Sequence, residues 1–96
     1  MVSNFKIFQR RKNDRLYLKL LGDFDGSSAC ELVHVLKKSC KGVNKVIINT
    51  TCLKNIYPFG RNVFQKNLYH LSGLLISILF TGKNSTQIMS ENLIYI

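Results

Sequence analysis

The sequence has few acidic residues: 5 Asp and Glu stand against 14 Lys and Arg, which gives a formal net charge of +9 at pH 7. A charge of this sign favours nucleic acid, an anionic membrane surface or an acidic protein as the partner. The cations are spread along the chain, however, so a solvated basic surface that aids solubility is a second interpretation. The net charge is therefore compatible with an anionic partner but does not identify one.

Long apolar runs are also absent. The longest apolar segment, at 74–80, is too short to span a bilayer and contains Ser77. The first eleven residues lack the uninterrupted apolar core of a secretory signal peptide. We therefore expect no transmembrane segment and a cytoplasmic location.

Metal-ligand spacing is missing from the cysteines and histidines. Cys30, Cys40 and Cys52 are an odd number at wide spacing, with no Cys-x-x-Cys pair, and His34 and His70 stand alone. Reduced thiols are expected, which fits a cytosolic protein. We expect neither a metal ion nor a cofactor.

Catalytic motifs are missing as well. No Ser-His-Asp or Cys-His arrangement has a supporting local motif, and no glycine-rich phosphate loop is present. Asp23 and Asp25 lie two residues apart, but without a third acid or a histidine nearby they make a poor metal or acid–base site. Asp25 fits better as an acceptor for amides at a helix N-terminus. We therefore expect a protein that is not an enzyme.

What is present begins with a hairpin and a helix. Residues 5–11 and 15–21 alternate apolar and polar side chains on either side of a short polar turn, as two antiparallel strands do. Residues 28–41 carry apolar side chains at helical spacing, and Ser28 and Glu31 have the spacing of a capping box.

Buried strands and further helices are predicted after this helix. The β-branched run in 45–49 is typical of a central parallel strand, and 74–80 is a second such run. A second helix is predicted at 61–71 and a short third one from 84 or 85 to about 89. Residues 93–96 fit either a last strand or a frayed end.

This order predicts one α/β domain spanning 1–96. The sheet is expected to be small and mixed, with an antiparallel N-terminal hairpin followed by parallel strands, because strands joined through a helix become parallel neighbours. The helices are expected to pack largely on one side of the sheet. The length of 96 residues suits a single domain.

The candidate site is the stretch between the central strand and the second helix. It contains the only proline, Pro58, between Tyr57 and Phe59, and it ends at Gly60. A loop that joins a buried strand to a helix N-terminus is a usual place for the functional surface of an α/β domain. Two aromatic rings beside a rigid proline lose little entropy on binding, which favours protein docking. In the other interpretation, the rings fold over the helix end and cover the core.

These features together resemble the STAS domain, the fold of bacterial anti-sigma factor antagonists and of the cytoplasmic tails of sulfate transporters. The resemblance covers roughly residues 5–89. Three motifs carry it, in chain order: Leu-Leu-Gly-Asp-Phe-Asp at 20–25 with Ala29 and Glu31-Leu32; Val-Ile-Ile-Asn at 46–49 with Leu53 and Ile56; and Gly60, Gly73 and the strand that ends at Gly82.

The resemblance implies a regulatory module of bacterial signal transduction that binds another protein. The implied partner is an anti-sigma factor or kinase-like protein, a transporter complex or a second copy of the chain. Lys54 and Arg61 would give the contact a positive rim. The residues expected at the contact are Asp25, Asn55, Tyr57, Pro58, Phe59, Gly60 and Arg61.

The sequence departs from the STAS pattern where phosphorylated members carry their switch. Their loop reads Asp-Ser-Ser-Gly or a close variant, and the serine after the Asp receives the phosphate. Here the corresponding run is Tyr-Pro-Phe-Gly at 57–60, so Pro58 occupies the phosphoacceptor position and has no hydroxyl. Asn49 replaces an acid common at the end of the central strand. We therefore expect no serine switch at this loop.

A nucleic-acid-binding domain is the alternative function. Its affinity for nucleic acid would fall steeply as the salt concentration rises, because its cations would contact phosphates. The chain lacks an aromatic ribonucleoprotein motif and a helix-turn-helix, which counts against it. Its candidate residues are the cations of the hairpin: Arg10, Arg11, Lys12, Arg15 and Lys19.

Overall fold

Five strands and two helices make up the described chain. The computed structural model describes residues 4–39, 41–68, 77–82 and 93–95, and of residues 68, 77 and 93–95 it describes the backbone alone. In chain order the elements are β1 (Lys6–Lys12), β2 (Arg15–Phe24), α1 (Gly26–Ser39), β3 (Lys45–Ile56), α2 (Pro58–Leu68), β4 (Ser77–Thr81) and β5 (Leu93–Tyr95).

The strands form one mixed sheet in the order β1-β2-β3-β4-β5. β1 and β2 pair antiparallel, whereas β2 with β3 and β3 with β4 pair parallel. The predicted α/β fold class, with an antiparallel hairpin followed by parallel strands, is confirmed. At 93–96 the strand alternative is the one observed, since β5 pairs antiparallel with β4. The predicted third helix lies outside the described residues.

The hairpin follows the alternation in the sequence. Leu16, Leu18 and Leu20 are buried on one face of β2, whereas Tyr17 and Lys19 point to the other face. The turn is Asn13-Asp14, and Asn13 has φ of 57°, a conformation that asparagine tolerates better than most residues.

Both described helices cover the same face of the sheet, as predicted. The apolar stripe of α1 and the buried ring of Phe64 on α2 belong to one core cluster with the inward side chains of the strands. The buried residues of that cluster are Phe5, Leu16, Leu18, Leu20, Phe24, Ala29, Leu32, Val33, Leu36, Val43, Val46, Ile48, Leu53, Phe64, Ile78 and Phe80.

A row of four aromatic rings crosses this core. Successive ring centroids are 5.9 Å apart for Phe5 and Phe24, 6.2 Å for Phe24 and Phe64, and 5.6 Å for Phe64 and Phe80, all edge to face. Edge-to-face rings gain energy beyond their buried area. The row packs α2 against the sheet through Phe64.

Helix α1 begins earlier than its predicted span of 28–41. It covers Gly26–Ser39, and the predicted capping box of Ser28 and Glu31 is wrong. Asp25 is the cap instead: its Oδ1 accepts the Ser28 amide at 2.9 Å, and its carbonyl accepts the Ala29 amide at 2.9 Å. Ser28 is buried, and its hydroxyl donates to the Asp23 carbonyl at 2.8 Å.

Strands β2 and β3 are longer than predicted. β2 continues through Gly22 to Phe24, and β3 continues past Asn49 to Ile56, so the predicted loop is mostly strand. Two register shifts give β3 an extra residue each time. Such bulges break the two-residue period by which a strand is recognised.

Helix α2 begins at Pro58 rather than at 61. Proline suits the first helical position because its missing amide proton would have no helical partner there and its φ is already near the helical value. Pro58-Phe59-Gly60 is therefore the first turn of a helix and not a loop. Among the described residues, no helix reaches the length and apolar content that crossing a bilayer requires.

Two phenylalanines of α2 provide a matched test of this packing. Phe64 is fully buried, whereas Phe59 is 70% exposed. We expect Phe64→Ala to lower the free energy of unfolding by about 3–5 kcal/mol because it opens a core cavity. Phe59→Ala should lower it by about 1 kcal/mol or less. Urea unfolding of both variants checks this, and equal losses would contradict the assigned orientation of α2.

Candidate functional site

The candidate site lies where the first turns of α1 and α2 meet. We call this contact the junction and define it by Asp25, Gly26, Phe59 and Gly60. A Cβ placed on Gly60 would be 2.6 Å from the Asp25 carbonyl carbon, and one on Gly26 would be 2.6 Å from the Phe59 ring. Both distances are shorter than side chains tolerate, so two glycines allow the helix starts to touch.

The first turn of α2 is attached to the sheet through Tyr57. The Tyr57 amide donates to the Phe24 carbonyl at 3.0 Å, which continues the pairing of β2 with β3 by one residue. The Tyr57 carbonyl then accepts the Arg61 amide at 3.1 Å, the first hydrogen bond of the helix. The backbone is thus hydrogen-bonded on both sides of Pro58.

The Asp25 carboxylate serves the helix N-terminus, as its sequence position indicates. Its pKa is lowered, chiefly because the Ser28 amide donates to it and further because the Ser27 hydroxyl does so at 2.8 Å. The positive end of the helix dipole favours a negative charge at this position. Asp25 is therefore a structural cap that also borders the junction.

Two aromatic side chains beside the junction face solvent. Phe59 is 70% exposed and Tyr57 is 47% exposed, so neither covers the core. The interpretation in which these rings cover the core is therefore wrong, and protein docking stays a prediction. Arg61 is exposed on α2, two residues after Phe59, and Lys54 is exposed on β3. We call Tyr57, Phe59 and Arg61 the junction surface.

The side chain of Asn55, a predicted contact residue, hydrogen-bonds to Asp23. Its Nδ2 donates to Asp23 Oδ1 at 2.8 Å, while Asn4 Nδ2 donates to the other oxygen of Asp23 at 3.2 Å and Asn4 Oδ1 accepts the Asp23 amide at 3.1 Å. The sequence analysis did not predict the hydrogen bonds between Asn4 and Asp23, because residues 19 positions apart form no recognisable local motif. Asn55 therefore orders the strand ends rather than extending the junction surface.

The site contains no evident metal centre. Within the described ranges, no three of His, Cys, Asp and Glu come together in a group that could hold a metal ion. Cys30 and Cys52 are exposed thiols without a disulfide bond, and Cys40 lies outside those ranges.

The hairpin cations of the alternative function divide between the two faces of the sheet. Because paired residues share a face, Arg10 and Lys19 lie on the face away from the helices. Arg11 pairs with buried Leu16, and its side chain approaches Gly42 on the helix side. Lys12 and Arg15 pair with each other on the same face as Arg10 and Lys19, so four of the five predicted cations share one surface and Arg11 does not.

Solved structures with a similar fold include an anti-sigma factor antagonist. The unphosphorylated form of the anti-sigma factor antagonist SpoIIAA matches with a TM-score of 0.62 and 11% identity, over 90% of this chain and 81% of that one. A DUF3478 protein with a SpoIIAA-like fold from Shewanella loihica PV-4 matches with a TM-score of 0.58 and 20% identity, over 91% and 75%.

A larger protein contains the same fold. A crystal structure of Mglu matches with a TM-score of 0.66 and 22% identity over 76% of this chain, which spans only 18% of the Mglu chain. No protein-family model matches the sequence, and no curated protein matches it significantly. The comparisons therefore show a STAS-like, SpoIIAA-like fold, and the activity of this chain must be argued from its own residues.

Gly60 gives a direct test of the junction. In an open helix, replacing glycine by alanine stabilises by about 1 kcal/mol. Here the added methyl meets Asp25 backbone that cannot move aside, and such overpacking costs about 1–3 kcal/mol. We expect Gly60→Ala to destabilise the protein in urea unfolding. Asn62→Ala, at an exposed position of the same helix, is the control and should be neutral or stabilising. A stabilised Gly60→Ala protein would contradict the junction.

Proposed function

We propose that this chain is a non-catalytic, protein-binding regulatory module of bacterial signal transduction. Its partner docks on the junction surface. The observation that carries the proposal is the 70% exposure of Phe59 on a helix turn whose backbone is held from both sides. A large apolar ring left in solvent on a rigid turn is typical of a binding anchor and unusual as a packing solution.

Rigidity is what makes the ring suitable as an anchor. Binding costs free energy for every side chain and loop that must be ordered, and a surface already in its bound conformation avoids that cost. The Phe59 ring rests against Gly26, and its backbone is in the first turn of α2. Phenylalanine itself has only two side-chain torsions to fix.

Charge indicates the kind of partner. Lys54 is exposed on β3, three residues before Tyr57, and Arg61 is exposed on α2, two residues after Phe59, while the Asp25 carboxylate is occupied by the amide and hydroxyl groups of α1. The surface therefore presents an apolar centre with a positive rim. It fits a partner with an apolar pocket bordered by acids, such as an anti-sigma factor or kinase-like protein, a transporter complex or a second copy of the chain.

The proposed module works without a serine switch at this site. Position 58 is the first residue of α2, where a phosphate would meet the free amides of a helix N-terminus. Pro58 supplies neither a hydroxyl nor an amide proton there. The docking surface is accordingly constant, and its use is set by the amount of protein or partner. We place the module in the cytoplasm.

Photo-cross-linking from two aromatic positions tests the proposal. A photoreactive phenylalanine analogue is introduced at position 59 or, as the matched control, at position 8, where Phe8 is 56% exposed on another surface. In source cells we expect position 59 to cross-link one defined protein that position 8 does not capture. A covalent dimer would identify the chain itself as the partner.

The affinity of the isolated complex then measures how much Phe59 contributes to binding. Phe59→Ala should weaken the complex by about 30-fold, the effect of losing one binding hot spot. Phe8→Ala should leave its affinity unchanged. Equal cross-linking from both positions, or an affinity that does not respond to Phe59→Ala, would refute docking at the junction surface.

A further inference from the structure

One face of the sheet has no described helix against it. We call it the open face. It is the face opposite Leu16, Leu18 and Leu20, and the strand register assigns its members. These are Lys6, Phe8, Arg10 and Lys12 of β1; Arg15, Tyr17, Lys19, Leu21 and Asp23 of β2; Lys45, Ile47, Asn49, Cys52 and Asn55 of β3; and Leu79 and Thr81 of β4.

Aromatic and cationic residues alternate across the hairpin part of this face. Phe8 is directly opposite Lys19, and Arg10 is directly opposite Tyr17. Phe8 and Tyr17 are diagonal neighbours, a relation that separates side chains by roughly 7–8 Å. The two rings therefore lie next to each other with a cation beside each one.

Within the described strands, the open face carries six cations and one carboxylate. Lys12 is directly opposite Arg15, and Arg15 is opposite Lys45, although like charges at such positions are unfavourable. Asp23, at the far end of β2, is that carboxylate, and its two oxygens accept the side-chain amides of Asn55 and Asn4. Nearby Asp14 accepts the side-chain amide of Asn44 at 2.8 Å. The face is therefore complementary to a polyanion from outside the chain.

A shallow cavity marks the centre of the face. Its volume is about 290 Å³. The side chains that give it its chemistry are Phe8, Arg10, Tyr17, Lys19, Ile47 and Asn49. It thus combines aromatic faces for stacking, cations for phosphate, and an amide that can hydrogen-bond to polar edges.

We infer that the open face binds single-stranded nucleic acid. A single strand offers both unpaired bases, which stack on Phe8 and Tyr17, and phosphates, which pair with Arg10, Lys19 and the flanking cations. A duplex hides its base faces and would use the charge alone. This surface is separate from the junction surface, so the inference stands apart from the proposed function.

Fluorescence anisotropy with the full chain tests the inference. The probe is a labelled oligothymidylate of about 12 nucleotides, within the usual site sizes of roughly 4–16. Two charge variants compare the surfaces at equal net charge. Arg10→Gln with Lys19→Gln alters the open face, and Lys38→Gln with Lys66→Gln removes exposed cations from α1 and α2.

The expected result separates stacking from charge. Phe8→Leu keeps an apolar side chain but should weaken binding about 5- to 100-fold, the effect of losing one base stack. The open-face charge variant should lower the slope of log affinity against log salt by about 1.4, while the helix charge variant leaves it nearly unchanged. Phe59→Ala should bind like the unaltered chain.

Four outcomes would overturn the inference. They are no binding at about 50 mM salt, equal losses from the two charge variants, full binding by Phe8→Leu, and equal affinity for the matched duplex. If polyglutamate displaced the oligonucleotide and bound more tightly, the occupant would be an acidic protein and not nucleic acid.

Discussion

The contact between the first turn of α2 and the cap of α1 determines the shape of the candidate site. Gly60 lies so close to the Asp25 backbone that a single methyl group would not fit, and Gly26 accepts the Phe59 ring in the same way. Because the Tyr57 amide also binds the end of β2, the helix cannot turn about its axis to bury Phe59. The ring is therefore exposed because backbone contacts fix the orientation of the helix. Phe64, about one and a half turns later, is the phenylalanine of this helix that enters the core.

Two surfaces with different chemistry result from this arrangement. The junction surface is small, and it consists of two aromatic side chains and Arg61. The open face is broad and carries cations around Phe8 and Tyr17 on the strands of the hairpin. The core lies between the sheet and the two described helices, which cover the face opposite the open face. The proposed protein anchor and the inferred polyanion-binding surface therefore use different residues.

The fold was largely predictable from the sequence, whereas the site was predictable only in part. Strict alternation at Leu16, Leu18 and Leu20 and the helical stripe of α1 identify one buried face, which is enough to predict a mixed sheet with helices on one side. The second half of β3 escaped recognition because two extra residues break the period of alternation. Ser28 matched a capping box although Asp25, three residues earlier, was the better placed acceptor. The contacts of Gly60 with Asp25, and of Asn4 with Asp23, join distant residues, and no local pattern encodes them.

The position of the Phe59 ring is the most direct test of the account. Solution NMR can measure it through the nuclear Overhauser contact between the ring protons of Phe59 and the α protons of Gly26, recorded with and without a paramagnetic cosolvent. We expect this contact to be present, and we expect the cosolvent to broaden the ring signals of Phe59 but not those of Phe64. A Phe59 ring that is shielded from the cosolvent, or that lacks the contact with Gly26, would contradict the junction and the docking surface built on it.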